Sequence, residues 1–120
     1  MTVSNSSNHF VEFWTEERCF ITEILNTGDL PDFSLAIARV APSETTQLHS
    51  LVNVNETYII CKGSGLVNVN GKLRQLNVGD HCVIPAGTPQ QITNLSDEDD
   101  LEFYCHCMPK FVPSCYKSLE

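Results

Sequence analysis

Apolar and polar positions alternate most clearly from Leu66 to Leu76, where Val67 and Val69 flank Asn68, Asn70-Gly71 interrupts, and Leu73 to Leu76 returns. Asn-Gly supplies the two positive-φ positions of a tight turn, so the segment predicts a β-hairpin. Further β-branched and aromatic runs lie at Cys19 to Ile24, Phe33 to Val40, Thr45 to Leu51, Thr57 to Lys62, His81 to Ile84, Gln90 to Asn94 and Leu101 to Cys107. Each is too short for a stable helix and is bounded by Gly, Pro, Asn, Asp or Ser. The connections are too short for helical crossovers, so neighbouring strands should be mostly antiparallel. An all-β closed barrel or two-sheet jelly roll follows, because those arrangements protect the edges of many short strands. Val11 to Arg18 reads either as a helix turn, with Phe10, Phe13 and Trp14 to one side, or as an extra strand. Pro109 and Pro113 predict an arm packed back over the barrel without regular structure.

Composition narrows the classes. The chain has 120 residues, 42% hydrophobic and 18% charged, which fits one globular domain with no separate cofactor domain. The expected layout is a barrel core from about 18 to 108, with arms at 1–17 and 109–120. Seven Lys and Arg against fifteen Asp and Glu give a formal charge of −8. No counterion-releasing basic face is available, so nucleic acid and anionic membrane surfaces are poor partners. The start shows no basic segment leading into an apolar stretch, and nothing approaches the roughly 18 apolar residues of a membrane span. A cytoplasmic protein is expected, with its six cysteines as reduced thiols.

Two spacings exceed what a generic sandwich needs. The first runs His49, Glu56, Gly63, Gly65; the second runs Gly79-Asp80, Pro85-Ala86-Gly87, Gln90 and Asn94. Together they resemble the two conserved motifs of the cupin superfamily, a double-stranded β-helix or jelly-roll barrel. From Glu17-Arg18-Cys19 through Cys105-His106-Cys107 and Tyr116, the chain is similar to small single-domain cupins labelled mannose-6-phosphate-isomerase-like. The family pattern implies a metal held by a His-x-His pair, a Glu and a third His. By that correspondence His49 and Glu56 stand in place, Leu51 occupies the second histidine position, and Gln90 the third. A second register pairs Gln47 with His49, two residues apart on one strand face.

One imidazole, one carboxylate and one or two amide oxygens could hold Zn, Mn, Fe or Ni, with open positions for a substrate. The resemblance then implies isomerase- or dioxygenase-like chemistry on a small polar molecule, with His49, Glu56, Gln90 or Gln47 as ligands. Glu56 would alternatively be a catalytic base. The other reading is a metal-free, non-catalytic module binding a small molecule in the barrel. Cys105 and Cys107 should share one strand face and His106 the other, so the three cannot meet at one ion. Cys61 and Cys82 read as small core hydrophobes, His81 as a rim residue, and Asp97 to Asp100 as a solvated turn. A Cys107–His49 nucleophile pair is a minor alternative. The apolar group Phe10, Phe13 and Trp14 points to a homodimer.

Overall fold

Residue alternation sets the architecture throughout residues 10–120, the part that the computed structural model describes. The described residues form eleven strands: β1 (Glu12–Thr15), β2 (Cys19–Leu25), β3 (Ser34–Val40), β4 (His49–Leu51), β5 (Asn55–Lys62), β6 (Gly65–Val69), β7 (Lys72–Leu76), β8 (His81–Ile84), β9 (Gln90–Asn94), β10 (Leu101–Met108) and β11 (Tyr116–Ser118). One sheet runs β1-β2-β3-β10-β5-β8 and the other β11-β4-β9-β6-β7. Every pairing between named strands is antiparallel. This is the expected jelly roll, built as two separately hydrogen-bonded sheets.

The β6–β7 hairpin turns where expected, with Asn70 at φ 53° and Gly71 at φ 87°. Gly65 answers a different need: a Cβ there would come within 2.7 Å of Ile92 Cδ1, so only glycine lets β6 pass so close to β9. Four segments differ from the sequence reading or resolve its alternatives. Val11 to Arg18 is a strand and a turn, with β1 pairing β2 across Trp14 and Phe20. Ladder pairing in the Thr45–Leu51 run is confined to His49–Leu51 apart from a bridge at Thr45. At Thr46 a hydroxyl takes the N–H of Ile92 at 3.0 Å where a strand would offer a carbonyl. The C-terminal arm contains regular structure: after a 3-10 turn at Pro113–Cys115, β11 pairs β4 and gives it a second neighbour. Cys61 is exposed, because odd positions of β5 face outward, whereas Cys82 is buried as expected.

The inward row of residues changes along three adjacent central strands. Register pairs Leu101 with Val40, Phe103 with Ala38, Cys105 with Ala36 and Cys107 with Ser34. Across the other flank of β10, Phe103 faces Ile60, Cys105 faces Tyr58 and Cys107 faces Glu56. Inward residues therefore shrink and turn polar toward one end. At the other end Val40, Ile60, Ile92 and Leu101 are buried and close the space between the sheets. A second small cluster of Leu51, Val54, Cys107 and Cys115 seals the arm against the barrel.

Candidate functional site

A cavity of about 720 Å³ opens where the inward residues become small and polar. Its walls come from β1, β2, β3, β5, β10 and the C-terminal arm. Apolar surface from Ile21, Leu35, Phe103 and Phe111 faces carboxyl, amide, hydroxyl and thiol groups.

Glu56 is the buried carboxyl among these groups. Alternation on β5 turns it inward beside Tyr58 and Ile60, and it is 7% exposed. The Cys107 thiol donates weakly to Oε2 at 3.8 Å, while Oε1 is buried with no hydrogen-bond partner. Burial raises its pKa to about 8, and the Glu17 carboxyl adds to the rise; the Cys105 thiol, Gln90 amide and Cys107 thiol pull the other way. The carboxyl is thus predominantly protonated at neutral pH.

Glu17 is brought in by the β1–β2 turn. Arg18 adopts φ 67°, its N–H donates to the Thr15 carbonyl at 3.1 Å, and the Glu17 carbonyl accepts the Gln47 N–H at 2.8 Å. That bond ties the turn to the approach of β4, where His49 sits. The Glu17 Oε1 lies 3.8 Å from His49 Nε2. His49 Nδ1 lies 2.7 Å from the Gln47 carbonyl, which only accepts, so Nδ1 carries the hydrogen and Nε2 is the acceptor facing Glu17. An ion pair here would need two buried charges. Burial opposes both: it raises Glu17 to about 7 and pushes the His49 pKa below its ordinary value. The gap is also longer than a hydrogen bond. The pair is a neutral imidazole beside a carboxyl that titrates near neutrality.

Two tyrosines complete the network. Tyr116 stacks on the His49 ring with centroids 4.7 Å apart, and its hydroxyl donates to Gln47 Oε1. The Tyr58 hydroxyl donates to Gln90 Oε1, and Gln90 is the register partner of His49 across β4 and β9. Cys19, Cys105 and Cys107 also line the cavity. Burial pushes all three thiols up, Cys19 to about 12, so at neutral pH they are thiols with little nucleophilicity. As alternation requires, His106 lies on the other face of β10, tilted against Phe33. Cys107 neighbours Glu56, and the thiol–imidazole pair has no support.

Of the four candidate ligands, His49, Glu56 and Gln90 are buried and Gln47 half-buried, and each makes a hydrogen bond of its own: His49 to the Gln47 carbonyl, Glu56 to the Cys107 thiol, and the two glutamines to tyrosine hydroxyls. Both glutamine oxygens already accept tyrosine hydroxyls, and the carboxylate within ion-pair distance of His49 is Glu17. Among the described residues no three His, Cys, Asp or Glu side chains gather as a metal-binding group. To serve as metal ligands the two glutamine oxygens would have to share or give up their tyrosine donors. Glu17, Tyr58 and Tyr116 are site residues that sequence reasoning did not single out. Glu17 enters only through a turn and a long-range backbone bond, neither of which leaves a spacing to read.

The fold is shared with solved structures of low sequence identity. The Streptomyces nucleoside dehydratase Pac13 matches with a TM-score of 0.81 at 14% identity, over 100% of this chain and 92% of that one. KdgF from Halomonas sp. matches with a TM-score of 0.77 at 18% identity, over 92% of this chain and 96% of that one. A predicted oxalate decarboxylase from Thermotoga maritima gives 0.77 at 22% identity, over 90% and 99%. Among sequences, the uncharacterized protein MJ1618 of Methanocaldococcus jannaschii is 32% identical over 78 residues, a stretch spanning 65% of this chain and 62% of that protein. The cupin domain profile matches residues 36–107, from β3 to the end of the inward row on β10, and the chain belongs to the cupin family.

Proposed function

We propose that this cupin is an enzyme that moves protons on a small polar molecule held in the cavity, with Glu56 as its principal acid–base group. The observation that carries the reading is a buried carboxyl, one oxygen unpartnered, in the same cavity as a second carboxyl set against a neutral histidine. Like charges so close disfavour double ionisation, so near neutral pH the pair favours one protonated and one ionised carboxyl. Elimination of water needs that combination: one group takes a proton from carbon while the other protonates the departing oxygen. Isomerisation next to a carbonyl needs the same two states in sequence. The likeness to a nucleoside dehydratase, solved with uridine, supports the reaction class.

The test incubates the protein in deuterated water with hydroxy-carbonyl compounds and nucleosides, uridine included, and follows deuterium uptake or water loss by NMR. Turnover should fall by about 10² to 10⁴ in Glu56→Gln. A compound that binds without turnover in the unaltered protein would favour the non-catalytic binding module. Zn, Mn, Fe or Ni is added in parallel. A melting temperature raised by the ion, and unresponsive in His49→Ala, would restore the metal-assisted reading, because a specific ligand stabilises the folded state by mass action. Trp14, 56% exposed on edge strand β1, and Val11, 68% exposed just before it, support pairing of two copies, which solution mass measures.

A further inference from the structure

We propose that the cavity selects its ligand by charge, accepting an amphipathic amine or hydroxyl compound whose donor group meets Glu56 and turning away carboxylates and phosphates. This rests on the reading above that the cavity is the ligand site, and it names the class of molecule admitted.

Four carboxyl groups line the cavity, the half-buried and buried Glu17 and Glu56 and the exposed Glu16 and Glu23. Among the described residues no Lys, Arg or His side chain lines it. Two cations on adjoining segments are bonded elsewhere. Arg18 forms a two-pronged pair with Glu120 at 3.0 and 2.9 Å, and Lys110 Nζ donates to Asn26 Oδ1 at 3.2 Å. The two tyrosine hydroxyls near the site are likewise spent on the Gln90 and Gln47 oxygens. Acceptors are therefore in excess. The clearest vacancy is Glu56 Oε1, buried and without a donor on a side chain only 7% exposed.

A ligand that brings a donor to that oxygen removes an unmet hydrogen-bonding demand, and a protonated amine adds attraction to the carboxylate form. An anion meets the opposite situation. It must leave water for a low-dielectric space lined by four carboxyl groups, whose ionisation it would oppose, with no guanidinium fork or helix N-terminus to receive it. The net charge of −8 repels it at longer range as well. Ile21, Leu35, Phe103 and Phe111 give the ligand's body an apolar wall.

Phenethylamine, phenethyl alcohol and phenylacetate place an amine, a hydroxyl and a carboxylate on similar apolar bodies. Each is titrated into the full chain while the backbone amide shifts of Glu56, Phe103 and Cys105 are followed by NMR. The amine should bind most tightly, the alcohol next, and the carboxylate about tenfold or more weaker than the alcohol. In Glu56→Gln the amine should lose its advantage over the alcohol while the alcohol still binds; Glu17→Gln, nearer the surface, should narrow the same ratio by less. Phenylacetate shifting these amides at the same concentrations as the amine overturns charge selection and leaves the cavity as a ligand site. If none of the three shifts them, the ligand-site reading itself fails, and the charge rule with it.

Discussion

The two ends of strands β3, β10 and β5 share a backbone geometry and differ in what they enclose. At one end Val40, Leu101, Phe103 and Ile60 fill the space between the sheets, all at most 2% exposed. Two to six residues further along each strand, Ala36 and Ser34, Cys105 and Cys107, and Tyr58 and Glu56 leave about 720 Å³ open. The ladders run through both ends, with one irregularity between Glu102 and Phe103 outside the open stretch, so side-chain volume and polarity create the cavity. The difference teaches where stability and chemistry reside. The packed end supplies apolar burial, and the open end carries a carboxyl without its full complement of partners, tolerable only on a frame stabilised elsewhere.

Mutation should separate the ends. The largest effect is on turnover: Glu56→Gln keeps the side chain's shape and should cost about 10² to 10⁴ in rate while the fold persists by circular dichroism. A cost shared equally by Gln90→Glu and Tyr116→Phe, with Glu56→Gln unimpaired, would move the chemistry away from Glu56. On stability the order reverses. Leu101→Ala, at the closed end, should lower unfolding free energy by about 2–5 kcal/mol, and Cys105→Ala, beside the open space, by less than about 1 kcal/mol, both read from urea midpoints. Equal costs would show that the open end is packed in solution.

A pH series sharpens the contrast. Glu56 and Glu17 have folded pKa values of about 8 and about 7, above the 4.5 of an ordinary glutamate. The folded state holds those protons more tightly, so their contribution is complete below about pH 4.5 and is lost as pH rises through 7 and 8. His49 acts with the opposite sign: its lowered pKa makes its contribution present above about 6.5 and lost as pH falls. Between about pH 7 and pH 8, below the range where the raised thiols add to it, the carboxyls set the slope, so the melting temperature should decline across that interval, and Glu56→Gln should flatten much of that decline. A comparably small effect is expected at Tyr116→Phe, which removes the hydroxyl to Gln47 but keeps the ring on His49, at about 0.5–1.5 kcal/mol.

Much of the fold was legible because strands announce themselves locally. Asn70-Gly71 fixed a hairpin, and His81–Ile84 and Gln90–Asn94 appear with the boundaries their alternation predicts. What escaped was set over long range. Thr46 substitutes a hydroxyl for a ladder carbonyl, β11 becomes a strand because β4 offers it an edge, and Glu17 joins the site through a turn bonded to Gln47. For the site itself, the resemblance to the family pointed to Gln47, His49, Glu56 and Gln90, and each now has defined neighbours. It could not reveal that tyrosine hydroxyls occupy both amide oxygens. Residue type advertises a donor, and only three-dimensional neighbours decide whether it is free.

The central claim is that the open end holds the Glu56 carboxyl as an acid near neutral pH. Titration of the protein carrying ¹³C at glutamate side-chain carboxyls, with Glu56→Gln identifying the resonance, measures that directly. The account predicts a midpoint near 8 for Glu56. A midpoint in the ordinary glutamate range, near about 4.3, would contradict it.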